Sequence, residues 1–392
     1  MVLGGKTMTY DFSKMTNRFD TCSLKWDVQK TELPMWVADM DFETAPEIVE
    51  ALHQRVDHKI FGYNLVPDEF FESIVHWWKT RHDFMMDKKW MMFCTGVVPA
   101  ISSIVRKMTT VGENVLIQSP VYNIFYNSII NNERHVLSND LIYDGHQYSI
   151  DFEDLERKLA LPQTTMMILC NPHNPIGKIW DRETLKRIGE MCAKYHVLVV
   201  SDEIHCDIVS PNENYIPFAS VSKTNLMNSI TCIAPTKAFN LAGLQTACIV
   251  VANEELRHKV NRGINTDEVA EPNSFAITAA ITAFYQGKKW LNDLNVYIEN
   301  NKQYSYQYIQ DNLPMLHVIK SQATYLLWID CSKICDDSVA FVEYLRKTTG
   351  LYLSDGYEYG ENGKTFVRMN VACPLERLKD GLQRLKSGIV HM

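Results

Sequence analysis

The sequence lacks any uninterrupted apolar stretch long enough to cross a bilayer, so no membrane-spanning helix is expected. Its first residues have none of the apolar core that a signal peptide carries, and a cytoplasmic location is the expectation. It also lacks a surplus of positive charge. Lys and Arg number 39 against 47 Asp and Glu, a formal net charge of -8. A nucleic-acid partner calls for the opposite balance, because such binding rests on neutralising phosphates. No G-x-G-x-x-G follows an early strand, which sets aside a nicotinamide dehydrogenase with a doubly wound sheet. The 10 cysteines show no metal-site spacing: Cys331 and Cys335 are the nearest pair, and no second pair completes a zinc site. Cys94, Cys170, Cys232 and Cys248 lie in apolar runs, where a thiol behaves as a small hydrophobe. Reduced, structural cysteines and no metal are therefore expected. There is no repeat and no low-complexity linker, and Met1–Thr7 reads as a lead outside the fold.

What is present suits a large globular enzyme. The 392 residues are 46% hydrophobic and 22% charged, enough for a sizeable core and more than one domain. From Trp90 to Val251, short apolar runs alternate with helical stretches. The runs Met91–Cys94, Val115–Gln118, Met166–Leu169, Val197–Val200, Ile230–Ile233 and Ala247–Val251 read as buried strands of a mostly parallel sheet. Leu185, Ile188, Met191 and Tyr195 recur at helical spacing between two of them. After that, Trp290 to Tyr308 suggests one long helix ending near Pro314. Tyr325–Ile329 reads as a strand, Val339–Arg346 as a helix, and Phe366–Val371 as a half-buried strand. Pro374 can open a last helix with Leu375, Leu378, Leu382 and Leu385 on one face. The expectation is an α/β fold: a large domain with a mostly parallel sheet at 46–287 and a smaller α+β domain at 288–392. The N-terminal arm, 8–45, joins the smaller one.

Ligands of open α/β sheets bind beyond the carboxyl ends of the strands. Those ends carry Thr95-Gly96-Val97-Val98, Ser119-Pro120-Val121-Tyr122, Asn171-Pro172-His173-Asn174-Pro175, Ser201-Asp202-Glu203 and Pro235-Thr236-Lys237. Taken singly each is ordinary: a solvated lysine, a capping Asp, a turn Asn-Pro, a core Tyr, a turn glycine. Together they supply what a pyridoxal 5′-phosphate cofactor requires. Lys237 is an amine for its aldehyde. Asp202 is an anion for its ring nitrogen. Asn174 is a donor to its ring hydroxyl, and Tyr122 a flat group to stack on. The N–H groups of Val97 and Val98 open a helix that can take its phosphate.

The strings Cys170–Gly177, Ser201-Asp202-Glu203-Ile204-His205 and Ala234–Leu244 resemble the fold-type I, class I/II aminotransferase family. Pro34–Phe42, and His205 where most transaminases carry Tyr, resemble its MalY/PatB branch of cystathionine β-lyases, the C–S lyases. Phe366-Val367-Arg368-Met369-Asn370 resembles the family's C-terminal segment. The resemblance runs from about Asp11 to the last helix. It implies that Arg368 holds the substrate α-carboxylate, with Trp36 and Tyr122 near the substrate. It implies that Thr236 and His205 join the cofactor contacts. It also implies that Tyr63 reaches the phosphate of a neighbouring subunit, hence a homodimer with shared sites. Ala234 and Gln245 stand where many members carry a phosphate-binding Ser and Arg, so phosphate binding is expected to lean on Thr236, Val97, Val98 and Tyr63.

The implied reaction is β-elimination on L-cystathionine or a related cysteine S-conjugate, giving a thiol such as homocysteine, pyruvate and ammonia. Lys237, Asp202 and Tyr122 are its expected catalytic residues, with Lys237 as general base. An aminotransferase using the same residues is the alternative. A regulator that keeps the fold and binds a protein partner is a further one, against which the intact Lys237 and Asp202 argue.

Overall fold

Seven strands form the central sheet: β1 Met91–Cys94, β2 Asn114–Ile117, β3 His135–Ser138, β4 Thr164–Cys170, β5 Leu198–Asp202, β6 Ser229–Ile233 and β7 Ala247–Val250. Their order across the sheet is β1-β7-β6-β5-β4-β2-β3. All pairs are parallel except those of β7, which runs against both neighbours. The computed structural model describes Thr9–Met392, so the Met1–Thr7 lead lies outside the described residues.

Six of the strands are the apolar runs of the sequence, because a strand covered on both faces has no polar positions to alternate with. Their residues divide between two cores by simple alternation. Val115, Ile117, Met166 and Ile168 pack with Ile101, Ile104 and Val105 of the helix Val97–Met108. Leu116, Met167, Leu169 and Val199 pack with Leu185, Ile188 and Met191 of the helix Arg182–Lys194. That second helix starts where the Asp181 side chain accepts from Thr184 N at 2.7 Å. The seventh strand, β3, is not among the apolar runs of the sequence. It is an edge strand with one exposed and three half-buried residues, His-Val-Leu-Ser, and so shows no apolar run.

The C-terminal region forms an antiparallel sheet of β8 His317–Val318, β9 Leu326–Asp330, β10 Ser354–Asp355 and β11 Phe366–Asn370, in the order β8-β9-β11-β10. In a separate two-stranded sheet, Leu33–Pro34 pairs in parallel with Leu351–Tyr352. The long helix spans Lys288–Asn312 and stops before Pro314 as expected. The last helix is Leu375–Val390, with Pro374 just outside its first turn rather than within it. One expectation needs correction. The alternating Phe366–Val371 run suggested a half-buried strand, yet every residue of β11 is buried. Its polar positions, Arg368 and Asn370, bond to the loop after β4 and to the arm at Trp36, Val37 and Asp39.

Among the described residues no helix is long and apolar enough to cross a membrane.

Candidate active site

The carboxyl ends of β1, β4, β5 and β6 open on one cavity of about 250 Å³. Its lining contains Gly96, Val97, Val98, Tyr122, Asn174, Asp202, His205, Thr236 and Lys237. Four separate strand ends therefore deliver their polar residues to one place, as the sheet reading requires.

Each wall has a local cause. The helix Val97–Met108 begins at the cavity, and its first N–H groups have no partner within the helix. Pro99 contributes no N–H, so Val97 and Val98 carry the donors of that turn. Opposite, the loop after β4 turns back through Gly177, whose φ of +65° lies in the left-handed region. A Cβ there would stand 2.2 Å from Ser321 Oγ, so only glycine fits this turn. The loop presents Asn174, whose Oδ1 accepts from Arg368 Nη1 at 3.3 Å.

Asp202 ends β5 and is buried. Its Oδ1 accepts from Ile204 N at 3.1 Å, and it takes part in no ion pair among the described residues. Burial pushes its carboxyl up to about 7; the Ile204 N–H and Lys237 pull the other way, and Glu203 adds to the rise. Lys237, in the turn after β6, donates from Nζ to Ala38 O at 2.5 Å. Burial and the Arg368 guanidinium lower its ammonium to about 8, against the pull of Asp39 and Asp202. His205 is buried, and its Nδ1 has no hydrogen-bond partner among the described residues. Burial, Lys237 and Arg368 hold it neutral, with its acidity shifted to about 3. Tyr122 is pushed up to about 12 by burial and by Asp202, so its hydroxyl keeps its proton.

Arg368 does not line the cavity itself but stands behind Asn174. It is 4% exposed, lies over the Tyr359 ring at 4.8 Å, and donates from Nη2 to Trp36 O at 2.9 Å. Its Nε is buried without a partner. Trp36 meets the site through that carbonyl, while its ring stacks on Tyr352 at 4.8 Å and 17°. Tyr63 is not brought to the cavity within one chain: it is fully exposed, at 101%.

Three residues were not singled out from the sequence. Tyr325 OH donates to Ala38 O at 2.9 Å, and its ring stands 6.2 Å from that of His205. Asn370 Nδ2 donates to Val37 O and Asp39 O, each at 2.6 Å. Asn240 Nδ2 donates to Met40 O and Phe42 O at 3.0 Å, and its Oδ1 accepts from Met40 N at 3.0 Å. The arm Trp36–Phe42 is thus strapped along the site by side chains that bond to its backbone. Nothing in one sequence distinguishes such an Asn or Tyr from an ordinary core residue.

The residues present fit pyridoxal 5′-phosphate. A buried carboxylate without an ion-pair partner among the described residues, an unpartnered His205 Nδ1, open helix N–H groups and a lysine lowered to about 8 all line one small cavity.

Comparison with known proteins agrees with this geometry. Residues 33–385 match the family model for aminotransferase class I and II. Cystathionine beta-lyase PatB of Bacillus subtilis is 40% identical over 387 residues, covering 97% of this chain and 100% of that protein. Protein MalY of Escherichia coli is 34% identical, covering 97% and 99%. The structure of the PLP-bound C–S lyase from Staphylococcus hominis superposes with a TM-score of 0.91 at 31% identity, covering 97% of this chain and 99% of the other. The fold is that of the PLP-dependent transferases, and the chain belongs to the class I and II aminotransferase family.

Proposed function

We propose that this protein is a pyridoxal-phosphate-dependent C–S lyase that performs β-elimination on L-cystathionine or a related cysteine S-conjugate, releasing a thiol, pyruvate and ammonia. The observation that carries it is the buried Asp202 carboxylate, without an ion-pair partner, in the same cavity wall as Lys237. Full-length similarity to a cystathionine β-lyase supports the choice of reaction.

When bound, the cofactor supplies an electron-accepting ring that stabilises negative charge at the substrate Cα. The chain's own residues do the rest. Asp202 would face the ring nitrogen, where a positive charge on the ligand would return the carboxylate to its ionised form. Val97, Val98 and Thr236 would hold the phosphate at the helix N-terminus. Asn174 would serve the ring hydroxyl, and Tyr122 the ring face. Lys237, lowered to about 8, is part neutral near pH 7 and can take the Cα proton. Arg368 offers a planar fork for the substrate carboxylate, with its unpartnered Nε as a donor in reserve. Fixing that carboxylate fixes rotation about Cα and so the direction of the Cβ–S bond. His205, neutral and buried, is a cofactor contact rather than a proton carrier. Trp36 borders the substrate through its place beside Arg368.

The test is thiol release from L-cystathionine. Homocysteine is expected to appear with the loaded protein and not with free cofactor; its absence would overturn the reading.

The proposal extends to assembly and location. The arm 8–45 acts with a small domain at 288–392, beside a large domain at 46–287, in a cytoplasmic homodimer. Val56, Ile60, Phe61, Tyr63 and Leu65 form an exposed apolar stretch that a second copy would cover. In that dimer Tyr63 reaches the partner's phosphate site. Mixing Lys237→Ala subunits with weakened Tyr63→Phe subunits is expected to restore activity, because each heterodimer regains one intact site. If subunits exchange and no activity returns, the sites are not shared.

A further inference from the structure

Eight of the 10 cysteines are buried, Cys22 is exposed, and Cys335 is half-buried. Cys331 and Cys335 lie outside the cavity, just after β9. Ile334 N and Cys335 N both donate to Cys331 O at 2.9 Å, so the segment makes one helical turn. That turn puts the two side chains on one side, and the Cys331 thiol donates to Ile329 O at 3.6 Å. Helical neighbours four apart hold their Cβ atoms about 5–6 Å apart. A disulfide needs about 3.5–4.5 Å, a small closure. The two ends differ in freedom. Cys331 is fully buried, and its N–H donates to Thr365 O at 2.9 Å. Cys335 sits among exposed Ser332, Lys333, Asp336 and Asp337. Closure therefore moves the surface side of the turn and leaves the strand end in place.

We propose that Cys335 and Cys331 form a thiol–disulfide exchange site that takes small organic disulfides. The Cys335 thiolate attacks one sulfur of the disulfide. The S–S bond breaks, a mixed disulfide forms on Cys335, and one thiolate leaves. Cys331 gives up its proton to solvent and attacks the Cys335 sulfur, expelling the second thiolate. The cysteine pair is oxidised, and the small disulfide is reduced to two thiols. The order of attack is built in. The neighbouring Cys331 side chain and the Asp337 N–H lower the Cys335 thiol, while burial, Asp336 and Asp337 oppose them. Cys331 is raised, first by burial. A transient pair of this kind is compatible with a reducing compartment.

Lys333 separates the two cysteines, which makes the test direct. The cofactor-loaded, full-length protein is treated with 2-hydroxyethyl disulfide, quenched in acid, alkylated and digested with trypsin. Peptides 321–333 and 334–346 are expected as one disulfide-linked species, formed faster than any adduct on Cys22. Cys331→Ser is expected to leave a stable mixed disulfide on Cys335. Cys335→Ser is expected to leave Cys331 unreacted. A stable adduct on Cys335 in the unaltered protein, or reaction there no faster than at Cys22, would overturn the proposal.

Discussion

Lys237→Ala is expected to lower turnover of L-cystathionine by about 10⁴-fold, because one side chain performs two tasks. It is the amine proposed to hold the cofactor aldehyde and the base proposed to take the substrate Cα proton. Its surroundings fit both. Nζ is anchored on Ala38 O at 2.5 Å, so it points to a fixed place. Burial and Arg368 bring the ammonium down to about 8, which leaves a usable neutral fraction near pH 7. Lys237→Arg is expected to fail as badly: it restores length and charge but not a nucleophilic amine. The measurement is the rate of pyruvate formation, paired with intact mass after borohydride treatment. The unaltered protein should retain the cofactor covalently, and neither variant should. A variant that keeps normal turnover would remove Lys237 from the chemistry.

Asp202→Asn is expected to lower turnover on the order of 10³-fold at saturating cofactor, the scale of losing one preorganised charge in a buried site. Asparagine keeps the shape of the side chain and removes the anion, so the loss isolates electrostatics from packing. The same residue predicts a pH effect in cofactor-free protein. The folded carboxyl titrates near 7, while an unfolded one titrates near its ordinary value of about 4. Its contribution to stability is therefore complete below the unfolded value and is lost as pH rises through about 7. Between those values the folded chain holds a proton that the unfolded chain does not. The melting temperature of the cofactor-free protein should decline across this window, and Asp202→Asn should flatten that decline. Bound cofactor should flatten it too, since a cationic partner returns Asp202 to its ionised form. A cofactor-free Asp202→Asn protein with an undiminished decline would assign the effect to other groups.

The parts of this molecule that were legible in the sequence are those governed by local pattern. Buried parallel strands such as Asn114–Ile117 are apolar beyond their first residue, and their polar carboxyl ends mark the ligand side. That rule alone gathers Asp202, Asn174, Thr236 and Lys237. What stayed hidden depends on distant packing. The edge strand His135–Ser138 is half exposed and carries no apolar signature. The buried Phe366–Asn370 strand looks half exposed, because Arg368 and Asn370 read as surface residues until Trp36 O, Val37 O and Asp39 O are seen to accept from them. Tyr325 is one aromatic among many until it meets Ala38 O beside His205. The arm Pro34–Phe42 stood out by resemblance, whereas its place along the site required the fold. Tyr63 marks the opposite limit: a single chain leaves it in solvent, and its proposed role requires a second copy.

Elimination and transamination would use the same lysine, the same Asp202 and the same Arg368, and they part only after the Cα proton has gone. Elimination expels the thiolate and leaves the cofactor ready for another substrate. Transamination keeps the amino group and stops unless a keto acid removes it. The decisive measurement is the number of pyruvate molecules formed per active site from L-cystathionine with no keto acid present. The expected result is sustained release over many turnovers, with pyruvate, ammonia and homocysteine in equal amounts. A burst limited to one turnover per site, restored by adding a keto acid, would contradict the lyase reading and mark the protein as an aminotransferase.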